Sequence, residues 1–164
     1  LGASFFKETN KALILAFLSM AIVVFIYFRN IMVSLMVVLA AFSDIIVTLA
    51  IVSLLGMKLS TAGIAAFLML IGYSVDTDVL LSNKVLKTKH GTVLDRVMIG
   101  IKTGLMMTLT TIGVVVVSLI FTQSDVIRQI MTILLIGLVC DMVFTWLQNA
   151  GLLRWYLEKK SESK

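Results

Sequence analysis

Apolar runs long enough to cross a hydrocarbon layer alternate along the chain with short polar connections. A helix rises about 1.5 Å per residue, so roughly 20 apolar residues cover a bilayer core about 30 Å thick. Five segments meet or approach that length: 12–28, 31–57, 59–83, 97–122 and 127–157. The first is uncharged and ends at Arg29-Asn30. The second carries Asp44, the third Asp76 and Asp78, the fourth Lys102 near its start, and the fifth Asp141 deep inside. The pattern predicts an all-α, polytopic membrane bundle of about five helices, forming one transmembrane domain over 1–164. With no proline in the chain, any kink must come from Gly, Ser or Thr.

Composition narrows the class. Hydrophobic residues make up 60% of the chain, charged residues 14%, and the mean hydropathy is +1.08. A soluble domain of this size cannot hide so much apolar surface, whereas lipid removes the need to. The net charge of +5 does not point to nucleic acid. Its basic residues sit between and after the apolar runs, not along one soluble face interleaved with aromatics. The single cysteine, Cys140, lies inside an apolar run, which leaves neither a disulfide framework nor a zinc site. No nucleophile paired with a base, no metal-ligand cluster and no phosphate-binding glycine loop appears, so an enzyme, a metal and a cofactor are all unexpected.

The basic residues also orient the bundle. With the N-terminus outside, five crossings leave the C-terminus inside. The inner side then holds Arg29, Lys84, Lys87, Lys89, Arg96, Lys102, Arg154, Lys159, Lys160 and Lys164. Lys7, Lys11, Lys58 and Arg128 remain outside, as the positive-inside rule requires. The expected location is the cytoplasmic membrane, with Trp155 and Tyr156 anchoring the inner interface. The stretch 84–96 reads as a solvated basic loop with a short interfacial helix, and His90 within it as a turn residue. Leu1 and the absence of a signal peptide suggest a piece of something longer.

Charges inside a span cost roughly 2.5–3.5 kcal/mol each at its centre, so the acids call for a reason. Helical periodicity places Gly72, Asp76, Val79 and Asn83 on one face, with Gly72 admitting a neighbouring helix one turn before the acid. Gly137, Asp141, Thr145 and Gln148 form a similar stripe. Asp78 stands roughly 200° around the helix from Asp76, so the two cannot point the same way. The fourth span is rich in Gly, Ser and Thr, a surface suited to helix contacts. Asp76, Asp44 and Asp141, with Lys102, are therefore the candidates for a proton or ion relay in a shared interior. The competing reading is that these acids bond hydroxyls across helices and only fix packing. The ten Met residues are packing and lipid-facing filler.

At Gly63-Ile-Ala65 and Ile71-Gly-Tyr-Ser-Val-Asp-Thr-Asp-Val-Leu-Leu81 the sequence resembles the SecD/SecF protein-export family, in its archaeal SecF form, within the resistance-nodulation-division superfamily. The likeness covers essentially the whole chain. It implies spans two to six of a six-span protein whose first span and exported domain precede this sequence. Leu1-Gly-Ala-Ser-Phe-Phe6 is similar to the family's entry into its second span. Asp44 matches the acid of the family's His-Asp-Val stretch, with Ser43 in place of the histidine. Asp76 matches the acid of the Val-Asp-Ala-Asn motif, whereas bacterial SecF carries its acid where Thr77 stands here. Met107-Thr-Leu-Thr-Thr-Ile112, with Thr110 and Thr111, resembles the Thr-rich motif; the bacterial arginine before it falls at Thr103, beside Lys102. Ala62 replaces the proline of Pro-Gly-Ile-Ala. Gly72, Tyr73 and Ser74 belong to the motif of the third span. Asp141, Thr145-Trp-Leu-Gln-Asn149 and Leu153-Arg-Trp-Tyr156 are similar to the archaeal last span. The resemblance implies a subunit that assists preprotein translocation together with a SecD-type subunit and the Sec protein-conducting channel, with ion flow coupled to that work. Two alternatives stay open: a non-transporting scaffold joining SecD to the channel, and a related small-molecule or lipid exporter.

Overall fold

A computed structural model describes the backbone of residues 2–87 and 91–162. Its helices are α1 (Gly2–Phe28), α2 (Ile31–Leu54), α3 (Thr61–Lys87), α4 (Val93–Phe121), α5 (Asp125–Phe144) and α6 (Ala150–Glu162). A five-residue π-helical segment, Thr145–Asn149, joins α5 to α6 in one continuous rod. Five helical stretches are long and apolar enough to cross a membrane: Lys7–Phe28, Ile31–Leu54, Thr61–Lys87, Val93–Phe121 and Asp125–Tyr156. The fold is an all-α membrane bundle.

Local chemistry explains where the helices start and stop. Arg29 and Asn30 form a two-residue link between α1 and α2, with Arg29 in the left-handed region at φ 49°. Asn30 then caps α2, its side chain accepting from the Met32 amide at 3.1 Å. Gly56, at φ 67°, turns the chain after α2, which ends at Leu54 and not at the 57 expected from hydropathy. Thr92 and Asp95 close a reciprocal capping box at the start of α4: the Asp95 amide donates to Thr92 Oγ1 at 3.2 Å, and the Thr92 amide to Asp95 Oδ2 at 2.9 Å.

The stretch expected to be a loop with its own interfacial helix is used differently. Lys84–Lys87 extend α3, and the capping box lets α4 begin at Val93. Among the described residues no separate helix lies between them. His90, Lys89 and Lys164 fall outside the described residues, as does Leu1.

α3 is the central element, packed on α5, α4 and α2, while α1 leans chiefly on α2. One apolar cluster gathers Val24, Val37, Ala41, Phe67, Leu70, Ile133, Leu134 and neighbours from α1 to α5. A second, towards the α3–α4 connection, holds Val33, Met36, Leu81, Val85, Val97, Ala150 and Leu153. Most of α1 and one side of α4 remain bare of protein. That is ordinary for surfaces that lipid covers.

Candidate functional site: a buried carboxyl and hydroxyl layer

On α3 and the α5–α6 rod, the residues between the two apolar clusters are polar and buried. Asp44 and Thr48 come from α2, Ser74, Thr77, Asp78 and Ser82 from α3, Asp141 from α5, and Thr145 from the π segment. Asp44 and Asp78 are 0% exposed and Asp141 1%.

Hydroxyls connect the acids. Thr145 Oγ1 lies 3.0 Å from Asp78 Oδ1 and 3.3 Å from Asp141 Oδ1. Thr77 Oγ1 donates within reach of Asp141 Oδ2 at 3.0 Å, and also approaches the carbonyls of Tyr73 and Ser74. Asp44 is within reach of the hydroxyls of Ser74 and Thr48, with the carboxyls of Asp141 and Asp78 in the same layer. Ser74 is also near Asp141. The sequence of oxygens therefore runs from Thr48 and Asp44, past Ser74, to Asp141, and through Thr145 to Asp78.

Proton counting shows what this layer can do. A hydroxyl has one proton, so Thr145 donates to one of its two carboxyl neighbours at a time. The other contact is satisfied when that carboxyl carries a proton and donates back to Thr145. A proton can thus pass between Asp78 and Asp141 by reversing both hydrogen bonds. A layer so linked supports proton exchange with little movement of heavy atoms.

Periodicity put Asp76 in the interior, and this needs correction. Asp76 is exposed on the outer side of α3, with Gly72 and Tyr73, and Asp78 takes the buried place. The reason lies in which residues α3 buries. Its inward stripe is Phe67, Leu70, Ile71, Ser74, Thr77, Asp78, Leu81 and Val85, a spacing of three and four that leads to Asp78. Gly72 was expected to admit a neighbouring helix, yet nothing in the chain comes within 4 Å of where its Cβ would be. Lys102 also stands apart: it is exposed on α4, whose buried face consists of Val97, Gly100, Gly104, Thr108 and Val115.

The other motif residues sort in the same way. Gly137 presses on α3, where an added Cβ would meet the Leu70 side chain. Gly100 does the same on α4, its Cβ position being 2.7 Å from Leu81 Cδ1. Thr110 is exposed and Thr111 half-buried; both donate to the Met107 carbonyl of their own helix, at 2.7 and 3.0 Å. The stripe expected as Gly137, Asp141, Thr145 and Gln148 holds as far as Thr145. The π segment then inserts an extra residue, so Ala150 and Leu153 turn inward and Gln148 is half-buried. Sequence reasoning missed Thr48 and Thr77 and undervalued Asp78. The available signal was the large apolar residues at three- and four-residue spacing on either side of Asp78.

Among the described residues no group of three or more His, Cys, Asp and Glu is placed to hold a metal ion.

Comparison with known proteins agrees with this architecture. The family described as "Protein export membrane protein SecD/SecF, C-terminal" matches residues 1–159. A protein-export membrane protein SecF of Methanocaldococcus jannaschii is 46% identical over 169 residues, covering 100% of this chain and 60% of that protein. SecF of Methanolacinia petrolearia is 50% identical over 161 residues, covering 96% and 57%. SecF of Thermococcus gammatolerans is 44% identical over 151 residues, covering 92% and 48%. The chain spans about half to three-fifths of the length of these relatives. With a match along nearly its whole length and a bundle of the expected kind, this chain belongs to the SecD/SecF protein-export membrane protein family.

Proposed function

We propose that this chain is the membrane bundle of a SecF-type subunit that assists preprotein translocation across the cytoplasmic membrane, and that ion movement through its buried polar layer is coupled to that work. The observation that carries the coupling is the Asp78–Thr145–Asp141 linkage, with Asp44 beside it, in the interior of the bundle. Packing alone does not call for three carboxyls in one layer. Burying an acid in lipid costs several kcal/mol, and a single hydroxyl pair would fasten the helices at far less cost. Asp78, Asp141 and Asp44 are the relay residues in this reading, and Asp76 has a different task.

Asp76 supports the partner half of the proposal. A carboxyl on the outside of a span is costly against lipid, so its surface suits another protein. The α3 face bearing Ala65, Gly72, Tyr73 and Asp76 is the surface proposed for a SecD-type subunit, with the Sec channel and the translocating preprotein beyond. Small residues there let a partner helix approach closely.

The test is export of a reporter preprotein into vesicles, with and without an ion gradient, comparing wild type with Asp78→Asn and Asp141→Asn. The expected result is loss of most of the gradient-stimulated export, with gradient-independent export retained. Full gradient stimulation in both variants would falsify coupling through this layer and leave a scaffold.

A further inference from the structure

The bundle carries an apolar groove on its lipid-facing side, between α2 and α6. Met32, Leu35, Met36 and Leu39 form one stripe of α2 at three- and four-residue spacing, and Leu152 and Trp155 face it from α6. Together they enclose about 180 Å³. The π segment shapes this edge: Leu153 is turned into the bundle, and Leu152 and Trp155 are left along the rim. At its polar end the groove is pinned by the Asn30 side-chain amide, which donates to the Tyr156 hydroxyl at 3.3 Å.

Two cations stand at that same end. Lys159, one turn beyond Trp155 along α6, holds its ammonium 5.1 Å from the centre of the Trp155 ring. Arg29 is exposed in the link that precedes Asn30. Among the described residues no carboxylate pairs with either. On the inner side the sequence sets ten basic residues against three acids, Asp95, Glu158 and Glu162, and Asp95 is closed into the capping box.

We propose that this groove binds an anionic phospholipid of the inner leaflet, with one hydrocarbon chain between α2 and α6 and the headgroup phosphate held by Lys159 and Arg29. Such a lipid would bind whether or not the buried layer couples ions to export. Size and charge select the occupant. One turn of a partner helix, about 10 Å across and 5.4 Å long, takes up roughly 400 Å³, more than the groove offers, whereas a lipid chain is a single file of methylenes. Apolar walls that run up to an amphipathic indole and then to cations follow the order of chemistry in a lipid, from tail to phosphate. A zwitterionic headgroup brings its own cation beside the phosphate and so gains less from Lys159 and Arg29.

The experiment uses Trp155 as reporter. With Trp146→Phe it is the one tryptophan of the chain. The full chain is reconstituted in phosphatidylcholine bilayers containing a graded fraction of phosphatidylglycerol or phosphatidylcholine with brominated chains, which quench indole fluorescence on contact. Brominated phosphatidylglycerol is expected to bind about fivefold more tightly than its phosphatidylcholine counterpart, the strengthening one basic residue gives at an anionic surface. Lys159→Gln and Arg29→Gln are each expected to halve that preference or more. Lys84→Gln removes the same charge on the same side, but next to Gly100 of α4, and is expected to leave the preference unchanged. Equal quenching by the two lipids overturns the proposal. So does a preference that Lys84→Gln lowers as much as Lys159→Gln, which would mean diffuse attraction and no site. Millimolar inorganic phosphate at constant ionic strength is expected to leave quenching as it is. Loss of the preference in phosphate would assign the cations to a free anion and overturn the lipid. Should Trp146→Phe not fold, thermal unfolding of the wild-type chain in detergent decides. Phosphatidylglycerol is expected to raise the melting temperature by a few degrees more than phosphatidylcholine, and equal shifts overturn the site.

Discussion

Thr145 joins two roles that the sequence presents separately, as a helix residue of the last span and as the hydroxyl shared by Asp78 and Asp141. Thr145→Val keeps the shape and removes the hydroxyl. It is expected to destabilise the bundle by about 1–3 kcal/mol, because two buried carboxyls each lose a partner. Thr145→Ser should recover most of that loss in thermal unfolding; equal losses for Val and Ser would show that shape, not the hydroxyl, matters. Gly137 tests packing one turn away. Gly137→Ala places a methyl against Leu70 and is expected to cost about 1–3 kcal/mol, also visible in the melting temperature. Much at this scale was legible beforehand: burial of Asp44 and Asp141 follows from their mid-span positions. Asp76 and Asp78 were harder, because residues two apart lie on opposite sides of a helix and a nearby glycine argued for the wrong one. Deciding between them meant weighing the large apolar residues spaced by three and four around Asp78 above that glycine, and α5 packs on the face those residues mark.

Among the elements, the π segment is the one that hydropathy could not reveal. Its apolar content matches a regular helix, and its extra residue shows only in where the burial pattern slips, from Thr145 to Ala150 and Leu153. π segments in helices often accompany functional sites, and this one begins at the Thr that bridges two acids. Deleting Gln148 should give a continuous α-helix in which Ala150 and Leu153 still face inward, with stability within about 1 kcal/mol of wild type. Inserting one Ala there should instead turn α6 by roughly 100°, expose Leu153 and lower stability by about 2–4 kcal/mol. Comparable melting temperatures for the two changes would mean that α6 contributes little to holding the bundle. The helix boundaries were legible to within a few residues except at the start of α1, which begins at Gly2 and not at 12, and around the α3–α4 connection. There a capping box prolongs helix into a segment whose basic composition reads as loop.

For the molecule as a whole, five spans and a single bundle follow from hydropathy because lipid imposes a length requirement that the apolar runs meet. Which outer faces meet protein and which meet lipid does not follow, since both are apolar and only an occasional charge tells them apart. Asp76 is such a charge. Asp76→Leu is expected to leave the melting temperature of the isolated chain unchanged or slightly raised, while reducing co-purification of a SecD-type partner. Retained co-purification would move that interface elsewhere on the bundle. The link between α1 and α2 carries one last implication, for biosynthesis. Two residues, one of them held at positive φ, leave almost no slack between the first two spans. The pair should therefore enter the bilayer as a single hairpin, with α1 delivered against the span that bears Asp44.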